Sequence, residues 1–152
     1  MADFEVVRRI VISAPPARIH ALIDNFREWT KWSPWEDVDP QLQRTYSGAE
    51  SGVGAHYAWS GNRKAGAGSM ELVSDDEREI GIRLEFLKPF KAANDVVFEL
   101  NPTESGATEV VWRMSGQQHG LMALLGKVIS MDRLVGKDFD KGLTRLKAAA
   151  EA

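Results

Sequence analysis

The chain has 152 residues, of which 43% are hydrophobic and 27% are charged, an ordinary composition for a globular protein. Its net charge is −3 without a long basic run, so the sequence does not favour nucleic-acid binding, which needs a clustered cationic face. The absence of cysteine excludes disulfides, thiolate metal sites and cysteine nucleophiles. Neither a secretory signal nor an uncharged apolar stretch of about 18 residues occurs, so we expect a single cytoplasmic domain, residues 1–152, without membrane insertion.

The N-terminal part of the chain predicts one strand followed by two short helices. Residues 4–13, FEVVRRIVIS, are rich in β-branched side chains, which is typical of a strand. The segment APPARIHALIDNF then begins with prolines that the first turn of a helix tolerates. Its apolar residues recur at helical spacing: Ile19, Leu22, Ile23 and Phe26. A second short helix through FREWTKW must end near Ser33, because Pro34 disfavours helical geometry in the residue before it.

The middle of the chain alternates between apolar and polar residues with period two, interrupted by turn signals such as SGAESG and GNRKAG. Short connections between consecutive strands predict an antiparallel meander. In the later strands the even-numbered residues are apolar and the odd-numbered ones are charged, so we expect only one face of the sheet to be covered. Six strands are predicted, near residues 42–47, 54–60, 66–74, 78–87, 92–101 and 107–115.

Residues 119–152 return to a helical period and form the only element large enough to cover the apolar face of the sheet. A straight helix of about 30 residues would be about 45 Å long, so we predict a break near Gly126 or Ser130. A curved sheet around this helix encloses a volume. The glycines Gly126, Gly136 and Gly142, together with Trp, Tyr and Met at interior positions, favour a partly hollow interior.

This order of elements resembles the helix-grip fold of the START-like, or SRPBCC, superfamily, and more closely its polyketide cyclase/dehydratase-like branch. The resemblance implies an α+β fold, in which a curved antiparallel sheet of about seven strands wraps around a long C-terminal helix, with two short helices after the first strand. It also implies a container for hydrophobic ligands and transfers no catalytic motif. The segments that carry it cover nearly the whole chain: WTKWSPW followed by Asp39 and Pro40, YSGAESGVGAHYAWSGN, GAGSMEL, LEFLKPFKA and MDRLVGKDFDKGLTRLK.

A search for catalytic and metal-binding patterns supports little chemistry. His20, His56 and His119 lie on separate elements without HxH or HExxH spacing, so we expect no metal site and no cofactor. No nucleophile elbow, phosphate-binding loop or dinucleotide fingerprint is present. The weak catalytic candidates are Tyr57, Glu71 and His119, with Glu36 beside the tryptophans.

The leading hypothesis is the binding or carrying of a small hydrophobic molecule, lipid-like or polyketide-like, in a cavity between the sheet and the C-terminal helix, by a monomer or homodimer. A polyketide cyclase/dehydratase-type enzyme is the first alternative and needs an inward-pointing carboxylate, histidine or tyrosine. A protein-interaction module of the chaperone-ATPase-activator type is the second and needs an exposed apolar patch instead of a cavity. The predicted lining is Trp35, Tyr57, Trp59, Met70, Leu84, Phe86, Phe98, Trp112, Met114, Leu125 and Met131.

The three tryptophans of WTKWSPW are expected to divide between two roles. Trp29 and Trp32 are three residues apart and share a helix face, which favours packing against the sheet. Trp35 follows Ser33 and Pro34, which redirect the chain. We therefore expect Trp35 at the entrance of the cavity.

Overall fold

The fold is a seven-stranded antiparallel sheet packed against a C-terminal helix, described by a computed structural model for residues 2–88, 91–118 and 131–152. The strand order is β1-β7-β6-β5-β4-β3-β2, so β2 to β7 form a meander and β1 pairs with β7. The predicted helix-grip architecture is confirmed. Its elements are β1 (Ala2–Ile12), α1 (Pro16–Ile23), a 3-10 helix (Phe26–Lys31), β2 (Gln43–Gly48), β3 (Ala55–Ser60), β4 (Ala67–Asp75), β5 (Glu79–Lys88), β6 (Ala92–Pro102), β7 (Thr108–Gln118) and α2 (Met131–Glu151).

The observed boundaries of the strands and short helices lie within a few residues of the predicted ones. Pro15 is extended and Pro16 occupies the first turn of α1, where a missing amide costs no intrahelical bond. The second short helix is a 3-10 helix that ends at Lys31, and Pro34 follows its cap. The break predicted at Gly126 or Ser130 lies outside the described residues.

The even-numbered residues of β5, β6 and β7 face inward, as their alternation predicted, whereas in β3 the odd-numbered residues Tyr57 and Trp59 do. One row crosses the sheet from β1 to β4 in direct register, and each of its side chains is buried. Because successive strand residues point to opposite faces, the charged side chains between them are directed away from α2. The row consists of Val6, Met114, Val96, Ile82 and Leu72.

The helix α2 lies directly against the inner face through Phe139, whose ring stacks on Trp112 with centroids 4.0 Å apart and planes 5° apart. A Cβ atom on Gly142 would lie 2.8 Å from Cζ3 of Trp112 and 2.9 Å from Cδ of Pro34. This glycine therefore permits close packing and does not open the interior, contrary to the expectation from sequence. Gly136 likewise meets Arg8 closely. Gly126 lies outside the described residues.

Arg145 ties α2 to the loop that follows the 3-10 helix. Its guanidinium donates to the carbonyl oxygen of Ser33 at 3.0 Å and to Oδ2 of Asp37 at 2.6 Å. The pKa of Asp37 lies below its usual value, because the hydrogen bond from the Arg145 guanidinium stabilises the charged carboxylate. The contacts fix the loop that carries Trp35 with respect to the helix.

Candidate ligand-binding cavity

A cavity of about 270 Å³ lies between the inner face of the sheet, α2 and the loop after the 3-10 helix. Its volume is close to the lower end of the range of small-molecule sites. Most of its wall is aromatic or aliphatic, with polar groups contributed by loops and by α2. The described residues that line it are Phe26, Trp29, Ser33, Trp35, Glu36, Val38, Leu42, Tyr57, Trp59, Lys64, Ala65, Met70, Leu84, Phe86, Val96, Trp112, Met114, Val135, Asp138 and Phe139.

Most residues predicted from the sequence as lining do border the cavity, and their role in binding stays a prediction. Phe98 does not border it: its side chain is fully buried and packs against Trp112, with centroids 4.9 Å apart. Leu125 lies outside the described residues, and Met131 begins α2 without a described side chain. The eight that border it are Trp35, Tyr57, Trp59, Met70, Leu84, Phe86, Trp112 and Met114.

Several lining residues were missed for identifiable reasons. Val96 lies on the apolar face of β6, and Val135 and Phe139 lie on the apolar stripe of α2, so their sequence pattern predicted burial. That pattern does not tell which buried side chains border empty space. Val38 lies between the 3-10 helix and β2, where no periodic signal exists, and Leu42 was predicted to begin a strand but precedes β2.

Trp29 and Trp32 form the part of the tryptophan cluster that packs in the core. Their ring centroids are 4.5 Å apart, which agrees with the shared face predicted from their spacing. Nε1 of Trp29 donates to the carbonyl oxygen of Ile23, and Nε1 of Trp32 donates to that of Leu22, both at 2.8 Å. The last turn of α1 therefore satisfies both indoles and orients them.

Trp35 occupies a different environment, at the border of the cavity. It is 38% exposed, and its Nε1 donates to Oδ2 of Asp138 on α2 at 3.2 Å. Its ring meets Trp112 and Phe139 edge to face, at centroid distances of 5.9 and 6.3 Å. Trp35 thus joins the loop to α2 while one side of its ring remains accessible. These contacts support its proposed position at the entrance.

Tyr57 brings the main titratable hydroxyl group into the apolar wall. Burial raises the pKa of its phenol to about 12, and the nearby carboxylate of Glu36 contributes in the same direction. The phenol is therefore protonated at neutral pH and available as a hydrogen-bond donor. Glu36 also lines the cavity, so a phenol and a carboxylate meet on this wall, and Arg44, which does not line it, pairs with Glu36.

The catalytic candidate Glu71 does not join this polar wall. Glu71 lies between two inward-facing residues of β4 and is exposed on the opposite face of the sheet, where it pairs in register with His56. Its position excludes it from the cavity and corrects its selection as a candidate. His119 lies outside the described residues.

The rim of the cavity is built from two loops that hydrogen bonds hold together. The amide of Asn62 donates to Oδ2 of Asp39 at 2.8 Å, and Nδ2 of Asn62 donates to the carbonyl oxygen of Val38 at 3.2 Å. Lys64 belongs to the same loop between β3 and β4 and lines the cavity. Lys64 is therefore a cation in a lining that is mainly apolar and also contains the carboxylates of Glu36 and Asp138.

A second cluster of titratable groups consists of His20, Asp24 and Asp75, none of which lines the cavity. Nε2 of His20 lies 2.5 Å from Oδ1 of Asp75, and Nδ1 lies 3.5 Å from Oδ2 of Asp24. Desolvation raises the pKa of Asp24 above its ordinary value. Three such groups together are a set that can hold a metal ion, but the two carboxylates meet opposite nitrogens of the ring. We interpret them as a polar clamp between α1 and the end of β4.

The chain belongs to the family described as polyketide cyclase / dehydrase and lipid transport, whose model matches residues 3–151. The match extends over β1 to α2 and therefore includes all the described cavity walls. A search of curated proteins found no significant match.

Solved structures show the same fold at low sequence identity. A protein from Chromobacterium violaceum is 14% identical with a TM-score of 0.68, and 97% of each chain is covered. The major latex-like protein 151 of Panax ginseng is 12% identical with a TM-score of 0.67 and 99% of each chain covered. The Aha1 dimer from Colwellia psychrerythraea is 18% identical with a TM-score of 0.64, covering 97% of this chain and 96% of that one.

Among the described residues, none of the helices combines the length and apolar character needed to cross a bilayer.

Proposed function

We propose that the protein binds or carries a small hydrophobic molecule in the cavity between its sheet and α2. The observation that carries this proposal is the cavity itself, about 270 Å³ of space with a mainly aromatic and aliphatic wall. The free energy of the system falls when an apolar ligand replaces water against the apolar surface of such a cavity. The family's description includes lipid transport, which agrees with a binding role.

The test compares two substitutions at neighbouring positions of β6. Val96 is 4% exposed and lines the cavity, whereas Val97 lies on the opposite face of the sheet. Val96→Phe directs a ring into the cavity and should weaken binding of 2-isopropylnaphthalene about fivefold or more, since fitting the probe beside the added ring carries an overpacking cost of about 1–3 kcal/mol. Val97→Phe adds the same atoms outside the cavity and should bind the probe as the natural protein does.

Binding is measured by titration calorimetry, and near-ultraviolet circular dichroism checks that each variant keeps its tertiary packing. The proposal is wrong if the natural protein does not bind the probe, or if Val96→Phe binds it equally well. If the natural protein binds the probe and Val96→Phe weakens binding, native mass spectrometry of protein purified from its own host identifies the class of the natural ligand.

An enzyme of the cyclase or dehydratase type is the second candidate, because Tyr57 and Glu36 place a phenol and a carboxylate in the cavity wall. The raised pKa of Tyr57 suits a hydrogen-bond donor to a carbonyl oxygen better than a base. Turnover of a polyketide-like substrate that Tyr57→Phe abolishes, with probe binding retained, would favour this candidate. A protein-interaction role has less support, since the exposed large apolar side chains lie on different elements of the described structure: Val11, Trp35, Val53, Val73 and Leu87.

A further inference from the structure

Glu36 and Tyr57 place a carboxylate and a phenol in the same wall of the cavity. They lie close enough that the negative charge of Glu36 helps to raise the pKa of the Tyr57 phenol. Arg44 donates a hydrogen bond to Oε2 of Glu36, whose side chain is only 17% exposed. The carboxylate therefore already has its counter-charge, and this wall requires no cation from a ligand.

Both groups keep a hydrogen-bonding capacity that the protein does not use. Among the described residues, Oε1 of Glu36 accepts no hydrogen bond and the hydroxyl of Tyr57 has no acceptor. Nε1 of Trp112 is the one enclosed side-chain nitrogen or oxygen without a partner in this part of the chain, so neither of these two oxygens is shut off from small molecules. Since both residues line the cavity, a ligand there can reach one acceptor and one donor.

Other polar groups of the described lining are engaged by the protein or lie at the rim. Asp138 accepts one hydrogen bond from a tryptophan, and Lys64 is exposed in the loop between β3 and β4. Three lining tryptophans donate their indole N–H to oxygen atoms of the protein: Trp29, Trp35 and Trp59. The adjacent donor and acceptor in the wall are therefore those of Tyr57 and Glu36.

The chemistry of this pair decides which functional group fits. A hydroxyl can accept a hydrogen bond from the Tyr57 phenol and donate one to the Glu36 carboxylate, and bonds to an ionised acceptor are stronger than neutral ones. A ketone can use the phenol alone, and a hydrocarbon displaces water from both groups without replacing its hydrogen bonds. A carboxylate of the ligand would be repelled by Glu36.

We propose that the ligand of this cavity carries a hydroxyl group, which accepts a hydrogen bond from Tyr57 and donates one to Glu36. The two residues then determine specificity by favouring alcohols and phenols over ketones and hydrocarbons of the same shape. This inference rests on the proposed function, because it requires an occupant in the cavity. It goes beyond that function by assigning the functional group of the ligand and the side chains that recognise it.

The test uses three probes with the same number of non-hydrogen atoms. 1-(2-Naphthyl)ethanol offers a donor and an acceptor, 2-acetylnaphthalene an acceptor only, and 2-isopropylnaphthalene neither. Their dissociation constants are measured by titration calorimetry, with the two enantiomers of the alcohol measured separately. Comparing ratios of these constants between the natural protein and a variant cancels the differences in probe hydrophobicity.

Two variants remove the donor and the charged acceptor in turn. Tyr57→Phe should reduce the affinity for the alcohol and for the ketone, each relative to the hydrocarbon, about fivefold, as expected for the loss of one hydrogen bond. Glu36→Gln should reduce the affinity for the alcohol relative to the ketone about fivefold, because the acceptor loses its charge. The affinity for the ketone relative to the hydrocarbon should not fall in Glu36→Gln.

Each variant has a matched control outside the cavity lining. Tyr46 contacts the ring of Tyr57, with centroids 5.2 Å apart, but does not line the cavity, so Tyr46→Phe removes a neighbouring phenol. Glu71 is exposed on the opposite face of the sheet, so Glu71→Gln removes the same charge at a distance. Both controls should leave all ratios unchanged.

A second measurement on the natural protein does not depend on the folding of any variant. The carbonyl stretch of bound 2-acetylnaphthalene is isolated from the protein bands by subtracting infrared spectra recorded with isotope-labelled and unlabelled ketone. A hydrogen bond from Tyr57 should place this stretch at a lower frequency than in hexane. Tyr57→Phe should raise it toward the hexane value, and Tyr46→Phe should leave it in place.

The possible outcomes separate this inference from the proposed function. If the probes bind, but neither variant changes its ratio, the inference is overturned while the binding function stands. A carbonyl stretch at the hexane value, or equal changes in Tyr46→Phe, has the same consequence. An effect of Tyr57→Phe without one of Glu36→Gln would show that the site reads an acceptor only, which also overturns the assignment of a hydroxyl. If no probe binds the natural protein, the proposed function fails and the inference fails with it.

Discussion

Both Trp29 and Trp35 border the cavity, but replacing Trp29 by alanine should act mainly on stability and replacing Trp35 mainly on binding. Trp29 is 4% exposed, contacts the rings of Trp32 and Phe98, and donates its N–H to Ile23. Truncating a buried Trp costs about 3–5 kcal/mol, and the loss of its hydrogen bond adds about 1 kcal/mol. We therefore expect Trp29→Ala to lower the free energy of unfolding by about 4–6 kcal/mol, a large part of the total for a domain of this size.

Trp35→Ala should lower the free energy of unfolding much less than Trp29→Ala does, and it should weaken ligand binding more. Its side chain is 38% exposed and borders the cavity, so part of its surface is already in contact with solvent or with empty space. We expect a loss of about 1–2 kcal/mol in the free energy of unfolding. The ring also borders the cavity and is held there by its bond to Asp138, so affinity for 2-isopropylnaphthalene should fall about fivefold or more.

Urea denaturation followed by far-ultraviolet circular dichroism measures both stabilities without relying on the fluorescence of the residues being removed. Equal midpoint shifts for the two variants would refute the division of the cluster into a core part and an entrance part. Unchanged probe affinity in Trp35→Ala would likewise remove the argument that this side chain belongs to the entrance.

Two further predictions concern Tyr57 and Gly142. Because the pKa of Tyr57 is raised to about 12 in the folded protein, its contribution to stability is fully present below the ordinary phenol pKa and is lost as pH rises toward 12. Ultraviolet titration of the natural protein against Tyr57→Phe should show one missing phenol with a midpoint near 12, and a midpoint near 10 would contradict its burial. Gly142→Ala should destabilise by about 1–3 kcal/mol in thermal or urea unfolding, despite the better helix propensity of alanine, because its methyl group would lie 2.8 Å from Cζ3 of Trp112. A stabilised variant would show that the helix and the ring separate easily.

Much of the fold could be predicted because the relevant signals are local. Alternation along β5, β6 and β7 assigned the inner face, and turn residues between the strands gave their limits to within a few residues. Pro15 and Pro16 predicted the start of α1, because the first turn of a helix does not need the amide N–H that proline lacks.

The cavity was harder to predict because empty space is a property of the packed interior and not of any one strand. Phe98 and Trp112 are direct neighbours in register on the same face, yet only Trp112 borders the cavity. Alternation cannot distinguish two such residues. The cluster of His20 with Asp75 shows the same limit, since residues 55 positions apart meet only after the strands have assembled.

The stacking of Phe139 on Trp112 links the existence of the site to the docking of one helix. Phe139 and Val135 supply part of the cavity wall, so any local opening that separates α2 from the sheet removes the site before the sheet itself unfolds. A ligand that needs this wall stabilises the docked state by mass action. Ligand binding should therefore increase the protection of the α2 amides against hydrogen exchange. The C-terminal helix is then the part of the molecule whose local stability reports whether the protein is loaded.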